Sequence, residues 1–542
     1  MNPLHRSSRP TRLRAIFQSR LTKTSRDLPF LTRRRDSGPR GTVIGRLLLG
    51  ACAVGVILVG NGCTVGPDHR APKTTIPSAY HNVISTNITT VMPDNPARWW
   101  TVFRDPRLDS LIQRATESNL DLKLAEARLR EARAARRRAA AAFLPGIDAS
   151  GGYSRSRVSG NSLNGTGLDR FGIPLENDTY TAGIDMSWEI DVFGGNRRSR
   201  EAATADLAAA SEARNATRCS LLAELGLNYL ELRGLQRQLE ITRANLRSQE
   251  DTAAITRDRL NAGLGSELEV VRATAVMERT QGALAPLETA IQQVIHHLSI
   301  LLGCAPATLH QELTTAWKPP IPGSLGVPLG LPSELLLRRP DIRQAERELA
   351  AATARIGVAT ADLFPRFYLT GAAGIQSLEP GDFVDGGSRF WSLGPTLRWP
   401  VFTAGRIRQT IRVQEARQEK ALIRYEQAVL TSLEEVENAL VSFGKEQERQ
   451  RSLRDSETAS RRAVDLARVQ HRAGLVDFLD VLDAERTWLG AQEDLAVSER
   501  RLGQDLIRLY KALGGGWEPS PSTTVATRGN LGAQAGIEPR ER

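Results

Sequence analysis

The chain has 542 residues and a formal net charge of +11, with 25% charged and only 5% aromatic residues. Most of the positive charge belongs to residues 1–46, which hold 12 Lys and Arg but only two acids, so residues 47–542 carry a net charge of +1. The body of the chain therefore lacks the basic surface that binding to nucleic acid requires.

An apolar segment of about 13 residues, 47–59, follows this basic region and is too short to span a bilayer as a helix, which takes about 20 residues. A positive region followed by a short apolar core predicts an export signal. Cys63 follows Gly60-Asn61-Gly62 just after this segment, where a cysteine predicts a bacterial lipoprotein acylated at that residue. Two alternatives stay open: acylation at Cys52, or a signal peptide without lipid.

A long internal repeat organises the rest of the chain. A run that begins at Gly263 returns 211 positions later at Gly474. A separate set of residues recurs 220 positions later: Asp121, Ala125, Glu126, Leu129, Ala132, Ala134 and Pro145 match Asp341, Ala345, Glu346, Leu349, Ala352, Ala354 and Pro365. The repeat predicts one structural unit built twice about a pseudo-two-fold axis.

Each copy opens with a predicted helix, 108–142 in the first and 342–363 in the second, because both stretches are rich in Ala, Leu, Arg and Glu and end before a proline. The pattern then changes to period two, which predicts strands with one apolar and one polar face. The predicted strands are 147–153, 180–190, 367–375 and 391–401. Trp188, Trp391 and Trp399 fit either an aromatic girdle at a bilayer interface or packing where strands meet helices.

Very long helices follow in both copies. Residues 197–260 and 406–510 contain no proline, and about 64 helical residues would reach roughly 96 Å. Each run meets a glycine turn, at Gly263 or Gly474, after which we expect a second helix to return.

Four strands cannot close a barrel, and an open sheet edge is not tolerated in lipid because its N–H and C=O groups find no partner. The smallest transmembrane barrels use about eight strands. Several copies must therefore pool their strands, and the long helices would extend from one end of that barrel. Such an assembly is a conduit, although its cargo is not specified by these patterns.

The chain resembles the outer-membrane efflux factors of the NodT/TolC type over about residues 63–517. The motifs that carry the resemblance are Cys63-Thr-Val-Gly-Pro-Asp68, Trp99-Trp100 with Asp105-Pro106, Ser187-Trp-Glu-Ile-Asp-Val-Phe-Gly194, Arg338-Arg339-Pro340-Asp341-Ile342, Phe364-Pro365 and Leu509-Tyr510 through Gly516-Trp517. The resemblance favours Cys63 over Cys52 as the acylated residue.

The resemblance implies an α+β membrane protein with an internally duplicated TolC-like fold. Four strands per protomer would complete a trimeric 12-stranded outer-membrane barrel, continued by a long periplasmic α-helical barrel. The implied partners are two further copies in a homotrimer, a periplasmic adaptor, an inner-membrane pump of the RND type and outer-membrane lipid, with no nucleic acid and no cofactor. The predicted regions are 1–62 (basic extension and signal peptide), 63–107 (lipidated segment), 108–310 (first efflux repeat), 311–330 (linker), 331–517 (second efflux repeat) and 518–542 (disordered tail).

The resemblance also places function at the helical turns. The segments that match the family's adaptor-docking tips contain Gly263, Leu264, Ser266, Gly474, Leu475 and Asp477. An alternative is that the glycines merely end helices while the two leucines cover the hairpin ends.

Acidic side chains just inside the second tip narrow the closed pore in the family, and here Asp480 and Asp483 match, with Asp483 the better match. Arg472 would form a closing salt bridge with them. The family often has Arg or Tyr just before the turn, whereas this chain has Gln470 and His471. The alternative is that both aspartates are solvated helix residues.

The function implied is a passive exit duct that expels drugs or other small toxic compounds. Two other hypotheses remain: an exit duct for ATP-driven type I protein secretion, and a lipid-anchored periplasmic coiled-coil scaffold without a barrel. An enzyme is the least favoured class, because no constellation of acid, base, nucleophile or metal ligands is visible.

Overall fold

The computed structural model describes residues 64–74, 76–81, 88–89, 96–162, 171–172, 174–315, 327–328 and 332–517. The predicted signal peptide, Cys63 and the predicted tail lie outside these residues. The strands are β1 (Ile88–Thr89), β2 (Gly146–Arg157), β3 (Glu176–Ile190), β4 (Val327–Pro328), β5 (Arg366–Ser377) and β6 (Arg389–Arg398). The α-helices are α1 (Pro106–Ser118), α2 (Leu120–Ala141), α3 (Gly195–Asn261), α4 (Glu267–Gly282), α5 (Leu284–Leu301), α6 (His310–Thr314), α7 (Leu335–Arg338), α8 (Pro340–Ala361), α9 (Arg406–Arg472) and α10 (Phe478–Ala512).

The four longer strands form one antiparallel sheet in the order β2-β3-β5-β6. Its register places Ile184 beside Ala149 of β2 and Ala373 of β5, so the apolar residues of the predicted alternation share one face across the strands. Large apolar side chains on this face are exposed in the protomer: Ile147, Tyr153, Ile184, Trp391, Leu393 and Leu397. The opposite face carries Asp148, Asp185, Ser187, Thr370 and Thr396.

The outer strands β2 and β6 each pair on one side only within the described residues. Pro395 lies in β6, where the missing N–H is acceptable because proline is confined to edge strands or bulges. The sheet therefore ends in two open edges that run the length of the strands.

The helices that leave the sheet are as long as predicted. Both α3 and α9 have 67 residues, which corresponds to roughly 100 Å each. None of the described helices has the length and apolar character needed to cross a bilayer.

Three local expectations were wrong. The predicted helix 108–142 breaks at Asn119, whose extended backbone separates α1 from α2 and whose side chain accepts from Leu122 N at 2.9 Å. The first returning helix is interrupted at Ala283, three residues before Pro286, which fits only near a helix start. The final strand ends at Arg398 rather than 401, and β1 and β4 add a two-residue parallel pair that was not expected.

Tryptophans at equivalent places tie the sheet to the helices. Trp188 Nε1 donates to the Phe143 carbonyl at 2.9 Å, and Trp399 Nε1 donates to the Leu363 carbonyl at 3.1 Å. These two residues therefore follow the packing alternative at the strand–helix junction. Trp391, which is 80% exposed on the apolar sheet face, fits the girdle alternative instead.

The main core lies near the middle of the long helices. Trp99 stacks on Tyr510 with ring centroids 6.0 Å apart, and its indole lies 3.0 Å from where a Cβ on Gly226 would be. Buried leucines of α1, α3 and α5 pack around these rings: Leu108, Leu111, Leu222, Leu225, Leu232 and Leu298. This core contacts only the central part of α3. The end of α3 near Asn261 packs instead in a second, smaller apolar cluster.

Candidate functional site

The first helical turn is closed by backbone hydrogen bonds. Gly263 has a φ of +74°, and its N–H donates to the Leu260 carbonyl at 2.9 Å, while Leu264 N–H donates to the Arg259 carbonyl at 2.8 Å. This is a Schellman motif, in which a left-handed glycine ends the helix. Ser266 then begins α4 with a capping box, because its Oγ accepts from Glu269 N–H at 3.3 Å.

The second turn repeats this geometry 211 residues later. Gly474 has a φ of +72°, its N–H donates to the His471 carbonyl at 2.9 Å, and Leu475 N–H donates to the Gln470 carbonyl at 2.9 Å. Asp477 precedes α10, and its N–H donates to Asp480 Oδ2 at 3.2 Å. The predicted glycines are thus helix C-caps, as the alternative interpretation expected.

The two tip leucines do not cover the hairpin ends. Leu264 is 71% exposed and Leu475 is 75% exposed. Each turn therefore presents one exposed leucine side chain to its surroundings. An exposed leucine at the same place in both copies is a candidate contact for another protein.

A contact between the two turns was not predicted. Arg259 Nη1 lies 2.9 Å from His471 Nε2, and the His471 ring packs against Phe478 with centroids 5.6 Å apart. Phe478 is 9% exposed and forms a small apolar cluster with Ala253 of α3 and Ala273 of α4. We call the contact of Arg259 with His471, together with Phe478, the tip latch.

The tip latch could have been recognised in the sequence from two positions at which the second copy differs from the first. His471 stands where the first copy has Leu260, and Phe478 stands where it has Glu267. The two copies differ in polarity at both positions, which is expected where they meet each other rather than equivalent surroundings.

Of the predicted constriction residues, Asp480 and Asp483 lie in the first two turns of α10, whereas Arg472 is the last residue of α9. Asp480 caps that helix, whereas the carboxylate of Asp483 is exposed and forms no ion pair within the described protomer. Arg472 Nε donates to the Arg468 carbonyl at 3.2 Å, and within the same part of the chain it pairs with neither aspartate. The predicted salt bridge is therefore absent inside the described protomer. Arg468 instead pairs with the buried Glu485 at 2.6 Å.

The segment that follows Cys63 is bound at the strand–helix junction by Arg198. This guanidinium donates to the carbonyls of Val65 and Gly66 at 3.1 Å each and to Asp68 at 2.7 Å, and the residue is only 4% exposed. Gly66 has a φ of +91°, and a Cβ there would lie 2.4 Å from Gly357 Cα. We call this arrangement the N-terminal clasp. It begins within the first turn of α3, close to the end of β3.

A second polar contact continues the clasp. His69 Nε2 lies 3.4 Å from Glu346, and this hydrogen bond lowers the pKa of the Glu346 carboxyl. A lowered carboxyl pKa contributes stability that is present above the group's ordinary pKa and is lost as the pH falls through the lowered value. Strong acid should therefore loosen the segment.

Both the sequence and the fold of this chain match known proteins. The family described as "Outer membrane efflux protein" matches residues 111–304 and 331–515. Nodulation protein T of Rhizobium leguminosarum bv. viciae is 31% identical over 477 residues, 86% of this chain and 94% of that protein. Toluene efflux pump outer membrane protein TtgF of Pseudomonas putida is 33% identical over 474 residues, 84% of this chain and 95% of that protein.

Among solved structures, the outer-membrane channel OprN superposes with a TM-score of 0.78 at 37% identity, covering 84% of this chain and 100% of that one. The resemblance inferred from the motifs is confirmed by matches that span both repeats. The chain belongs to the outer membrane efflux protein family.

Proposed function

We propose that this protein is the outer-membrane channel of a tripartite efflux system, a passive exit duct for drugs or other small toxic compounds. The observation that carries the proposal is the sheet: one face is apolar and exposed, and two roughly 100 Å helices leave it in the same protomer. A periplasmic coiled-coil scaffold would not expose an apolar sheet face of this kind. The toluene efflux named in a relative suggests the chemical class of cargo.

The open edges of β2 and β6 support a homotrimer. In lipid every backbone donor and acceptor needs a partner, so both edges must pair with further copies. Three copies would supply twelve strands, four from each, which exceeds the about eight strands of the smallest membrane barrels. The helices of three copies would then enclose a tunnel below the barrel.

Deletion of the gene tests the function. We expect the deletion strain to become several-fold more susceptible to small apolar toxic compounds, and the purified protein to open pores in planar bilayers. Restored resistance on complementation is the control. Unchanged susceptibility together with an absence of pores would contradict the proposal.

We place adaptor docking at the two turns. Leu264 and Leu475 are exposed at equivalent positions, and the backbone of each turn is fixed by its own hydrogen bonds, so the apolar side chains are held ready for a partner. The partners would be a periplasmic adaptor and, through it, an RND-type inner-membrane pump that supplies the energy.

Replacement of Gly474 by Val should disturb docking. A Cβ at this position meets no atom within 4 Å, so the penalty comes from the left-handed backbone and amounts to about 1–2 kcal/mol. Gly474→Asn is the matched control, since asparagine tolerates this conformation. We expect Gly474→Val, but not Gly474→Asn, to lower the affinity for the adaptor in a pull-down or titration; equal binding by both variants would argue against docking at this turn.

We propose that Asp483 contributes to the constriction. Its exposed, unpaired carboxylate would be repeated three times about the pore axis, and a ring of acids favours cations. Asp477 and Asp480 at the start of α10 would add to the negative charge. Arg472 would reach an aspartate only across a protomer boundary, because its own chain offers it no such pair.

Asp483→Asn should lower the preference of the pore for cations by at least about two-fold, because three charges leave the constriction. Asp494→Asn is the control, since this exposed residue lies on the same face of α10 about three turns further along. Reversal potentials in salt gradients give the measurement. An unchanged preference in Asp483→Asn would remove this residue from the constriction.

We propose that Cys63 carries the lipid anchor. The N-terminal clasp supports this, because it holds the residues that follow Cys63 against the strand–helix junction. From this junction, acyl chains on Cys63 would reach the lipid. Mass spectrometry of the mature protein should show an acylated N-terminal peptide that is absent from Cys63→Ser. An unmodified Cys63 in the mature protein would contradict the anchor while leaving the channel intact.

A further inference from the structure

The tip latch is satisfied by one protonation state of His471. An arginine can only donate, so His471 Nε2 must accept from Arg259 Nη1 at 2.9 Å. The other ring nitrogen, Nδ1, lies 3.2 Å from the Val476 carbonyl and must donate to it. Both hydrogen bonds form only when the imidazole is neutral, with its proton on Nδ1.

The same ring supports the apolar contact between the two hairpins. His471 packs on Phe478, and Phe478 forms an apolar cluster with Ala253 and Ala273 of the first hairpin, against which Met277 and Leu482 pack. An imidazole that turns away from Arg259 therefore also withdraws support from Phe478. The polar and apolar parts of the tip latch are coupled through one side chain.

The charged side chain in contact with the His471 ring is itself a cation. Arg259 faces the ring from α3 and is held by a second hydrogen bond to the Leu264 carbonyl at 3.4 Å. Within the described residues, no carboxylate lies within ion-pair distance of either ring nitrogen. The other charged side chains at the four helix ends are Arg257 and Asp258 of α3, Glu267 and Glu269 of α4, Arg468 and Arg472 of α9, and Asp477 and Asp480 of α10.

Several of those charges are already engaged elsewhere. Arg468 pairs with Glu485, Glu269 caps Ser266, and Asp480 caps Asp477. The carboxylates of Asp258, Glu267 and Asp477 would favour a cation, although within the described residues none of them lies within ion-pair distance of the His471 ring. The partial negative charge of the α9 C-terminus favours a cation as well. It acts equally on Arg472 in the same turn, so it does not replace the lost hydrogen bond.

We propose that the tip latch is an acid-sensitive lock, which holds the two hairpin turns together while His471 is neutral and releases them when it is protonated. The added proton binds Nε2, removes the acceptor for Arg259 and brings two cations together. The lock is therefore closed at higher pH and opens as the pH falls. The proposal rests on the proposed duct function, in which separation of the turns widens the exit path.

Spin labels report the separation of the turns directly. We would attach them at Leu264→Cys and Leu475→Cys, both exposed, in full-length protein that also carries Cys52→Ala, Cys63→Ser and Cys304→Ala. Cys219 can stay, because burial raises the pKa of its thiol to about 12. Distances would be compared at about pH 7.5 and about pH 5.5, either side of the range in which histidine side chains usually titrate.

We expect the population with separated labels to grow by about tenfold in acid, because a side chain with the ordinary histidine pKa of about 6.5 goes from about one tenth to about nine tenths protonated between these two pH values. His471→Gln should abolish this response and keep the turns together, since its amide can accept from Arg259 and donate to Val476 without titrating. His297→Gln, which removes a histidine paired with Glu224 rather than a tip residue, should respond like the parent protein.

Arg259→Met is the second test, because it leaves His471 free to titrate but removes the neighbouring cation. Its turns should be separated at both pH values, with the pH response lost. A pH-independent distance in the parent protein, or a full response in His471→Gln, would overturn the proposal. Single-channel conductance of the native sequence tests the proposed duct function separately from the acid-sensitive lock. Turns that separate in acid, in a protein that forms no pore, would support the lock and contradict the duct function.

Discussion

The four-stranded sheet has two outer strands, β2 and β6, whose outer edges are unpaired within the described residues, and the assembly that we propose depends on these edges. One face of that sheet is apolar and exposed. If that face lies in lipid, as we propose, β2 and β6 would each leave a row of N–H and C=O groups without partners within the described protomer. The cost of each such group is several kcal/mol, which no local rearrangement of 10 to 12 residues can offset. In the assembly that we propose, further copies pair with these edges, and the closed cylinder that results would leave an enclosed space between the helices.

The junction between the sheet and the long helices is built in the same way in both halves of the chain. Gly194 and Gly405, with φ values of +81° and +84°, start α3 and α9 in left-handed conformations that few other residues adopt. Trp188 and Trp399 fix the preceding helices to the same junction. The duplication is therefore preserved where both halves face equivalent surroundings, and it fails at the tip latch, where the halves face each other.

The sequence allowed the regular elements to be predicted, because their signals are local. Period-two alternation located the sheet, the absence of proline located α3 and α9, and Gly263 and Gly474 located the turns. The break at Asn119 was missed because a side-chain cap competes with a strongly helical composition. The clasp at Arg198 was missed because it joins residues at least 130 positions apart. The contact of Arg259 with His471 joins residues 212 positions apart, and its only signal was the departure from the repeat at His471 and Phe478.

Cross-linking of the sheet edges tests the central constraint most directly. Cysteine at Ser150 of β2 would be combined in turn with cysteine at Ser392, Gly394 or Thr396 of β6, all on the polar face. If the edges of neighbouring copies pair, at least one combination should oxidise in membranes to products of two and three linked chains, with none larger. Chains that remain unlinked in every combination, or products that grow without a limit at three, would contradict the account.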